Sequence, residues 1–168
     1  ISSNSVVSER SGPLRVGYAG SERGEAFSFV AAAIERVLSE RPGEFEFEFI
    51  GYLPDLLKGR KGVRHFEALP DYRTFLAFKQ SRRWELGLAP LDDDLFSRCK
   101  TNNKFREYGA LGIAGLYSDI APYADSVVSG RTGMLVGHDA DAWISALEWA
   151  LAHRATLPAL GAEARKEI

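Results

Sequence analysis

The sequence predicts an α/β fold, a doubly wound parallel sheet of about six strands with helices on both faces. Three observations predict it. Short apolar runs close on glycine, serine or proline; helix-period stretches alternate with those runs; and 168 residues of balanced composition are enough for one buried core. Parallel neighbours need crossover connections, and right-handed crossovers spread the helices over both faces.

The elements follow in order. Residues 1–13 form a polar lead-in or linker, and residues 14–168 read as one domain, expected to be excised from a longer chain because it opens on Ile. "LRVGYAGS" is a buried strand leaving into a tight turn. In "GEAFSFVAAAIERVLSE", Phe27, Val30, Ile34, Val37 and Leu38 keep the spacing of an amphipathic helix. "EFEFEFIG" alternates Glu with Phe, the pattern of a strand near an edge with one wetter face. "GVRHFEAL" is a strand, and "DYRTFLAFKQSR" a helix with Tyr72, Phe75, Leu76 and Lys79 on one side. "WELGLAPL" is a strand, "CKTNNKFREYGALG" a helix, and "IAGLYS" and "TGMLVG" strands. "ADAWISALEWALAHR" closes as a helix burying Trp143, Leu147, Ala150 and Leu151, with Trp149 off the buried face.

Composition narrows the function. With 21 Lys and Arg against 23 Asp and Glu, the net charge of −2 argues against a broad nucleic-acid surface, so any anion site is local. The one cysteine, Cys99, excludes an intrachain disulfide and points to a reducing, cytoplasmic setting. No apolar run approaches the roughly 20 residues of a membrane span. Ligands of doubly wound sheets sit beyond the carboxyl ends of the strands. That rule selects Gly20 to Gly24, Gly51 to Pro54, Leu69 to Tyr72, Pro90 to Thr101 and Ser118 to Tyr123.

Within those loops, Cys99–Gly112 carries the most chemistry. Read as one helix, it aligns Lys100, Lys104 and Glu107 on a single face. With Thr101 or Asn102 as the cap, free amides and two lysines would suit a diphosphate, and Glu107 could accept from a ribose diol. The plainer reading is a solvated helix with an ion pair. Gly17, Gly20 and Gly24 are spread too widely for a dinucleotide fingerprint and read as a strand-to-helix turn in which backbone can approach a phosphate. Asp92 and Asp94 of "LDDD" allow an Asp-x-Asp metal site, but acids at a helix start explain them as well. His65, His138 and His153 lack metal-ligand spacing, and His153 suits a helix C-terminus. No serine lies in a nucleophile elbow.

The run from Lys100 to Val136 resembles family 4 glycosyltransferases of the GT-B fold. It holds E-Y-x-A-x-G from Glu107, S-D-x-x-P-Y over Ser118–Tyr123 and G-x-x-G-x-L-V from Gly130. In register, the likeness extends from Leu14 to Ala152. It implies a Rossmann-like, nucleotide-sugar-binding C-terminal half. Such a half would serve a retaining hexosyltransferase that moves a sugar from a nucleotide-diphosphate donor to a glycan or polysaccharide. The donor is then a substrate, with no metal or other cofactor expected, and the partner is a Rossmann-like N-terminal domain. A location in the cytoplasm, or at the cytoplasmic membrane face through the rest of the protein, is expected; activity of the isolated domain is not.

By position, the resemblance matches Glu107 to the family's ribose-contacting glutamate; Lys100 and Lys104, read from the charged stretch itself, complete the expected catalytic set. Gly20, Ser21, Arg23, Gly51, Tyr72, Thr101, Asn102 and Tyr123 are the expected donor contacts. The loops at Gly51–Leu53 and Leu69–Tyr72 would hold the base, and the turn at Asp119–Tyr123 would border the sugar. The chain departs from the family pattern at Cys99, where a glutamate near the donor sugar is usual. It departs also at Ser21 and Ala26, where an arginine and a lysine face the diphosphate, and at Ala114, often proline. Two alternatives stand beside this reading: a metal-dependent transferase using Asp92 and Asp94, and a noncatalytic interaction module with Trp149 on its partner surface.

Overall fold

A computed structural model describes residues 11–22 and 24–168. Its six strands are β1 (Leu14–Gly20), β2 (Phe45–Gly51), β3 (Val63–Phe66), β4 (Leu86–Ala89), β5 (Ala114–Ser118) and β6 (Met134–Val136). They form one sheet in the order β3-β2-β1-β4-β5-β6, with every pairing parallel. The helices are α1 (Gly24–Glu40), α2 (Tyr72–Ser81), α3 (Leu95–Arg98), α4 (Asn103–Ala110), α5 (Ala140–Ala152) and α6 (Leu157–Lys166). The chain reverses strand order between β1 and β4, which opens a crevice at the carboxyl ends of those strands.

Strand alternation divides the core in two. Leu14, Val16 and Tyr18 of β1 and Phe47 and Phe49 of β2 meet Phe27, Val30 and Ile34 of α1 and Trp143 and Leu147 of α5. On the other face, Ala19, Ile50 and Ala89 lie with Trp84, Phe105, Tyr108, Tyr117 and Ala164. That second face is built around a row of glycines. Gly17, Gly87 and Gly115 are in register across β1, β4 and β5. A Cβ on each would lie 1.9 Å from the Trp84 ring, 2.5 Å from the Tyr108 ring and 2.2 Å from the Tyr117 ring. The missing side chains are the slots into which the three aromatic rings pack.

Several expectations are corrected. Cys99–Gly112 is not one helix: Cys99 is the C-cap of α3, Lys100 lies in the following turn, and only Lys104 and Glu107 belong to α4. A separate short helix, α3, ends where the longer one was expected to start; Asp94 is its N-cap, its carboxylate accepting from Ser97 N at 2.6 Å. β2 lies next to the edge strand β3, near the edge as its pattern suggested, but Glu48 is fully buried instead of wet. Its carboxylate accepts from Arg82 Nε at 3.1 Å and Trp84 Nε1 at 2.9 Å, which replaces water as the partner of its charge. Trp149 is partly buried against the core and stacks on His153, ring centroids 4.6 Å apart, so it is not an exposed partner surface. His153 is the C-cap of α5, as its position suggested. α6 was missed although Pro158 stands at its first turn; it packs against α4, with Gly161 directly over the Gly112 carbonyl.

Candidate donor site at the carboxyl edge

The crevice is built where β1 and β2 end. Both close on glycines in backbone conformations that L side chains rarely adopt, Gly20 at φ +151° and Gly51 at φ +94°. A Cβ on Gly51 would sit 2.7 Å from the Gly20 carbonyl, so the two strand ends approach closely. That carbonyl accepts from Tyr52 N at 2.9 Å. The Gly51 carbonyl is 2.7 Å from His65 Nε2, which ties it to β3. The Tyr18 hydroxyl donates to the Ser21 carbonyl and fixes the start of the turn.

Lys104, in the first turn of α4, brings its ammonium over this floor. Nζ lies 3.2 Å from where a Gly20 Cβ would stand and 5.5 Å from the centre of the Tyr18 ring. Beside it opens a cavity of about 250 Å³ lined by Gly20, Ile50, Ala68, Leu69, Pro70, Tyr72 and Phe75. Its walls are mostly apolar, and Tyr72 stands 61% exposed with its ring stacked on Phe75. Asp71 caps α2 and positions Tyr72; Thr74 donates to it from both hydroxyl and amide, which holds its carboxyl below the ordinary carboxylate range.

Glu107 lies one turn deeper on α4. Its Oε2 accepts from Lys79 Nζ of α2 at 3.0 Å, and the carboxylate side chain remains 21% exposed while Lys79 is wholly buried. The Lys79 ammonium stands 4.6 Å from the Tyr108 ring centre and 5.9 Å from those of Phe75 and Trp84. Burial pushes its pKa below the ordinary lysine value, and Glu107 opposes the shift. Lys79 was read only as part of an apolar stripe. A lysine on the buried side of a helix was the available signal that an acid lay opposite.

Gly20, Ser21, Gly51, Tyr72 and Lys104 are thus brought to one edge, with Glu107 below them. Other expected residues have different surroundings. Lys100 Nζ rests 4.6 Å from the ring centre of Phe96, itself exposed with Leu95 on α3. Asn102 holds the N-cap position of α4 without capping it, because its Nδ2 donates to Ser126 Oγ at 2.8 Å; Thr101 is exposed in the same turn. Tyr123 is buried with its ring 5.1 Å from that of Tyr117, so it supports the crevice from within the core. Arg23 lies outside the described residues.

The acids of "LDDD" diverge onto three tasks. Asp92 Oδ1 accepts from Ala26 N at 2.6 Å, Asp94 caps α3, and Asp93 Oδ1 receives Arg98 Nε at 2.9 Å. Asp92 also fills the space beside Gly24, so a carboxylate of the chain itself occupies the start of α1 where a phosphate could otherwise approach. No group of three His, Cys, Asp or Glu side chains suited to a metal ion occurs among the described residues. A larger cavity, about 850 Å³, lies at the opposite edge of the sheet beside Arg60, Lys61 and Arg64. Arg60 and Arg64 already face acids there, Glu35 at 2.9 Å and Glu46 at 3.6 Å. No helix of the described residues is long and apolar enough to cross a membrane.

No family model and no curated protein sequence matches the chain. Solved structures do. A variant of TarM from S. aureus, in complex with fondaparinux, α-GlcNAc-glycerol and UDP, gives a TM-score of 0.72 at 13% identity, over 93% of this chain and 32% of that one. HepE from Anabaena, in complex with UDP and glucose, gives 0.69 at 9% identity, over 92% of this chain and 43% of that one. The C-terminal domain of the glycosyl transferase group 1 family protein LpcC from Francisella tularensis gives 0.67 at 10% identity, over 91% of this chain and 83% of that domain. The chain spans less than half the length of TarM and HepE and most of the LpcC domain. The chain therefore has the Rossmann-like fold seen in the C-terminal domain of LpcC, a parallel six-stranded sheet of the kind that forms the C-terminal half of the GT-B fold.

Proposed function

We propose that this chain is the donor-binding domain of a retaining glycosyltransferase that moves a hexose from a nucleotide-diphosphate sugar to a glycan or polysaccharide acceptor. The observation that carries the reading is the meeting of Lys104, the Gly20 turn and the apolar cavity beside Tyr72 at the strand-order reversal. The base enters the cavity under Tyr72. The diphosphate lies over Gly20, where the absent Cβ leaves room for it, with its charge met by Lys104. Glu107 accepts from the ribose hydroxyls.

Catalysis on this side of the enzyme is electrostatic. As the glycosidic bond to the β-phosphate breaks, negative charge grows on the departing diphosphate, and a fixed ammonium lowers the energy of that state most. Acceptor groups come from the N-terminal domain, so this domain alone binds nucleotide and transfers nothing.

Isothermal titration with UDP, GDP and ADP tests the proposal. One of them is expected to bind with a Kd of about a millimolar or tighter, weakened at least about fivefold by Lys104→Ala. Absence of binding by all three would overturn it and leave an interaction module. Binding abolished by EDTA would transfer the reading to a metal-dependent site.

A further inference from the structure

The structure assigns Lys79 as the positioning residue of the ribose site, acting through Glu107; the assignment rests on the nucleotide reading above. Lys79 sits on α2 and Glu107 on α4, and the 3.0 Å bond between them crosses the two helices that flank the crevice. The ammonium has no exposure, and rings of Phe75, Trp84 and Tyr108 surround it. Burying a charge in that slot is expensive, and an apolar chain of equal length would pack between the helices at lower cost. What the charge adds is direction. It engages Oε2 and fixes the Glu107 rotamer, while the side chain stays partly open to solvent and able to accept from hydroxyls.

Phe75 joins this pair to the base cavity, since it lines the cavity on one side and stands 5.9 Å from Lys79 Nζ on the other. Base pocket, caged ammonium and carboxylate are therefore consecutive along one wall. Lys79 holds the acceptor ready, so that its rotamer entropy is not lost at the moment of binding.

The test compares two ligands and four proteins. Affinities of UDP and 2′,3′-dideoxy-UDP are measured for wild type, Lys79→Met, Glu107→Gln and the double variant; GDP or ADP and its dideoxy form replaces UDP where it binds tighter. Wild type should prefer the ribose form about tenfold or more, the worth of a hydrogen bond to a charged acceptor. Lys79→Met should cut that preference at least about threefold while changing dideoxy binding less than about twofold, and it should add nothing in the Glu107→Gln background. If Lys79→Met does not fold, the double variant, which removes both charges, should show the same preference as Glu107→Gln alone. Equal weakening of both ligands, an unchanged preference, or additive effects would overturn the assignment. Failure of wild type to bind any of the three nucleotides would instead overturn the function on which it rests.

Discussion

Gly17→Ala places one methyl group in the middle of β1 and tests the glycine row. The added Cβ would stand 1.9, 2.0 and 2.4 Å from three atoms of the Trp84 indole. Carbon atoms in contact settle about 3.5–4.0 Å apart, so the ring must retreat by roughly 1.5–2 Å. It has no free direction. Its Nε1 donates to Glu48 at 2.9 Å, and Glu48 is held by Arg82. Overpacking costs about 1–3 kcal/mol, and losing a hydrogen bond to a charged acceptor about 1.5–3 kcal/mol. The stiffer unfolded chain returns about 0.4–1 kcal/mol. The balance is a loss of about 2–5 kcal/mol, a large part of the roughly 5–15 kcal/mol that holds a domain together. At about 2–4 °C per kcal/mol, the melting temperature should fall by roughly 10 °C. Equilibrium urea unfolding measures the loss directly. Trp84→Phe should cost less in the Gly17→Ala background than in wild type, because the smaller ring relieves the clash. A loss below about 1 kcal/mol, or additive costs, would refute the packing argument.

Three further outcomes follow. Glu48→Leu should destabilise the fold by about 3–5 kcal/mol in the same urea assay, because the Arg82 guanidinium and Trp84 N–H lose their buried partner. Asp92→Ala should cost about 0.5–2 kcal/mol by uncapping α1 at Ala26, and EDTA should leave wild-type nucleotide affinity unchanged. The Asp71 carboxyl titrates lower in the folded chain than its ordinary value of 3.8. Its contribution is therefore full above that value and lost as pH falls through the folded one. The protection of the Thr74 and Phe75 amides, corrected for the intrinsic pH dependence of exchange, should fall on acidification in wild type and not in Asp71→Asn.

The strands and most helices were legible because each writes its own period. "LRVGYAGS" and "IAGLYS" are apolar on both sides since both faces of a parallel sheet are covered, and α1 and α5 repeat every three to four residues. Tertiary pairings were not legible. The glutamates of β2 look solvent-facing until Arg82 and Trp84 arrive from a distant loop, and Gly17 looks like part of a phosphate turn until Trp84 is seen to need its space. Sequence placed Lys104 and Glu107 on one helix and Gly20, Gly51 and Tyr72 at the carboxyl edge; the fold brings Lys104, Gly20, Gly51 and Tyr72 together and pairs Glu107 with Lys79. Sequence could not place Asn102, drawn off its cap by Ser126, nor find Lys79, whose partner is 28 residues away.

Chemical-shift mapping of a UDP titration, with GDP and ADP run in parallel, tests the central claim most directly, because it separates the crevice from the larger cavity at the opposite edge of the sheet. The account predicts that amide shifts concentrate at Gly20, Ser21, Gly51, Tyr72 and the first turn of α4 through Lys104. Shifts concentrated instead at Gly43, Lys61 and Gly62, beside the larger cavity, would contradict it.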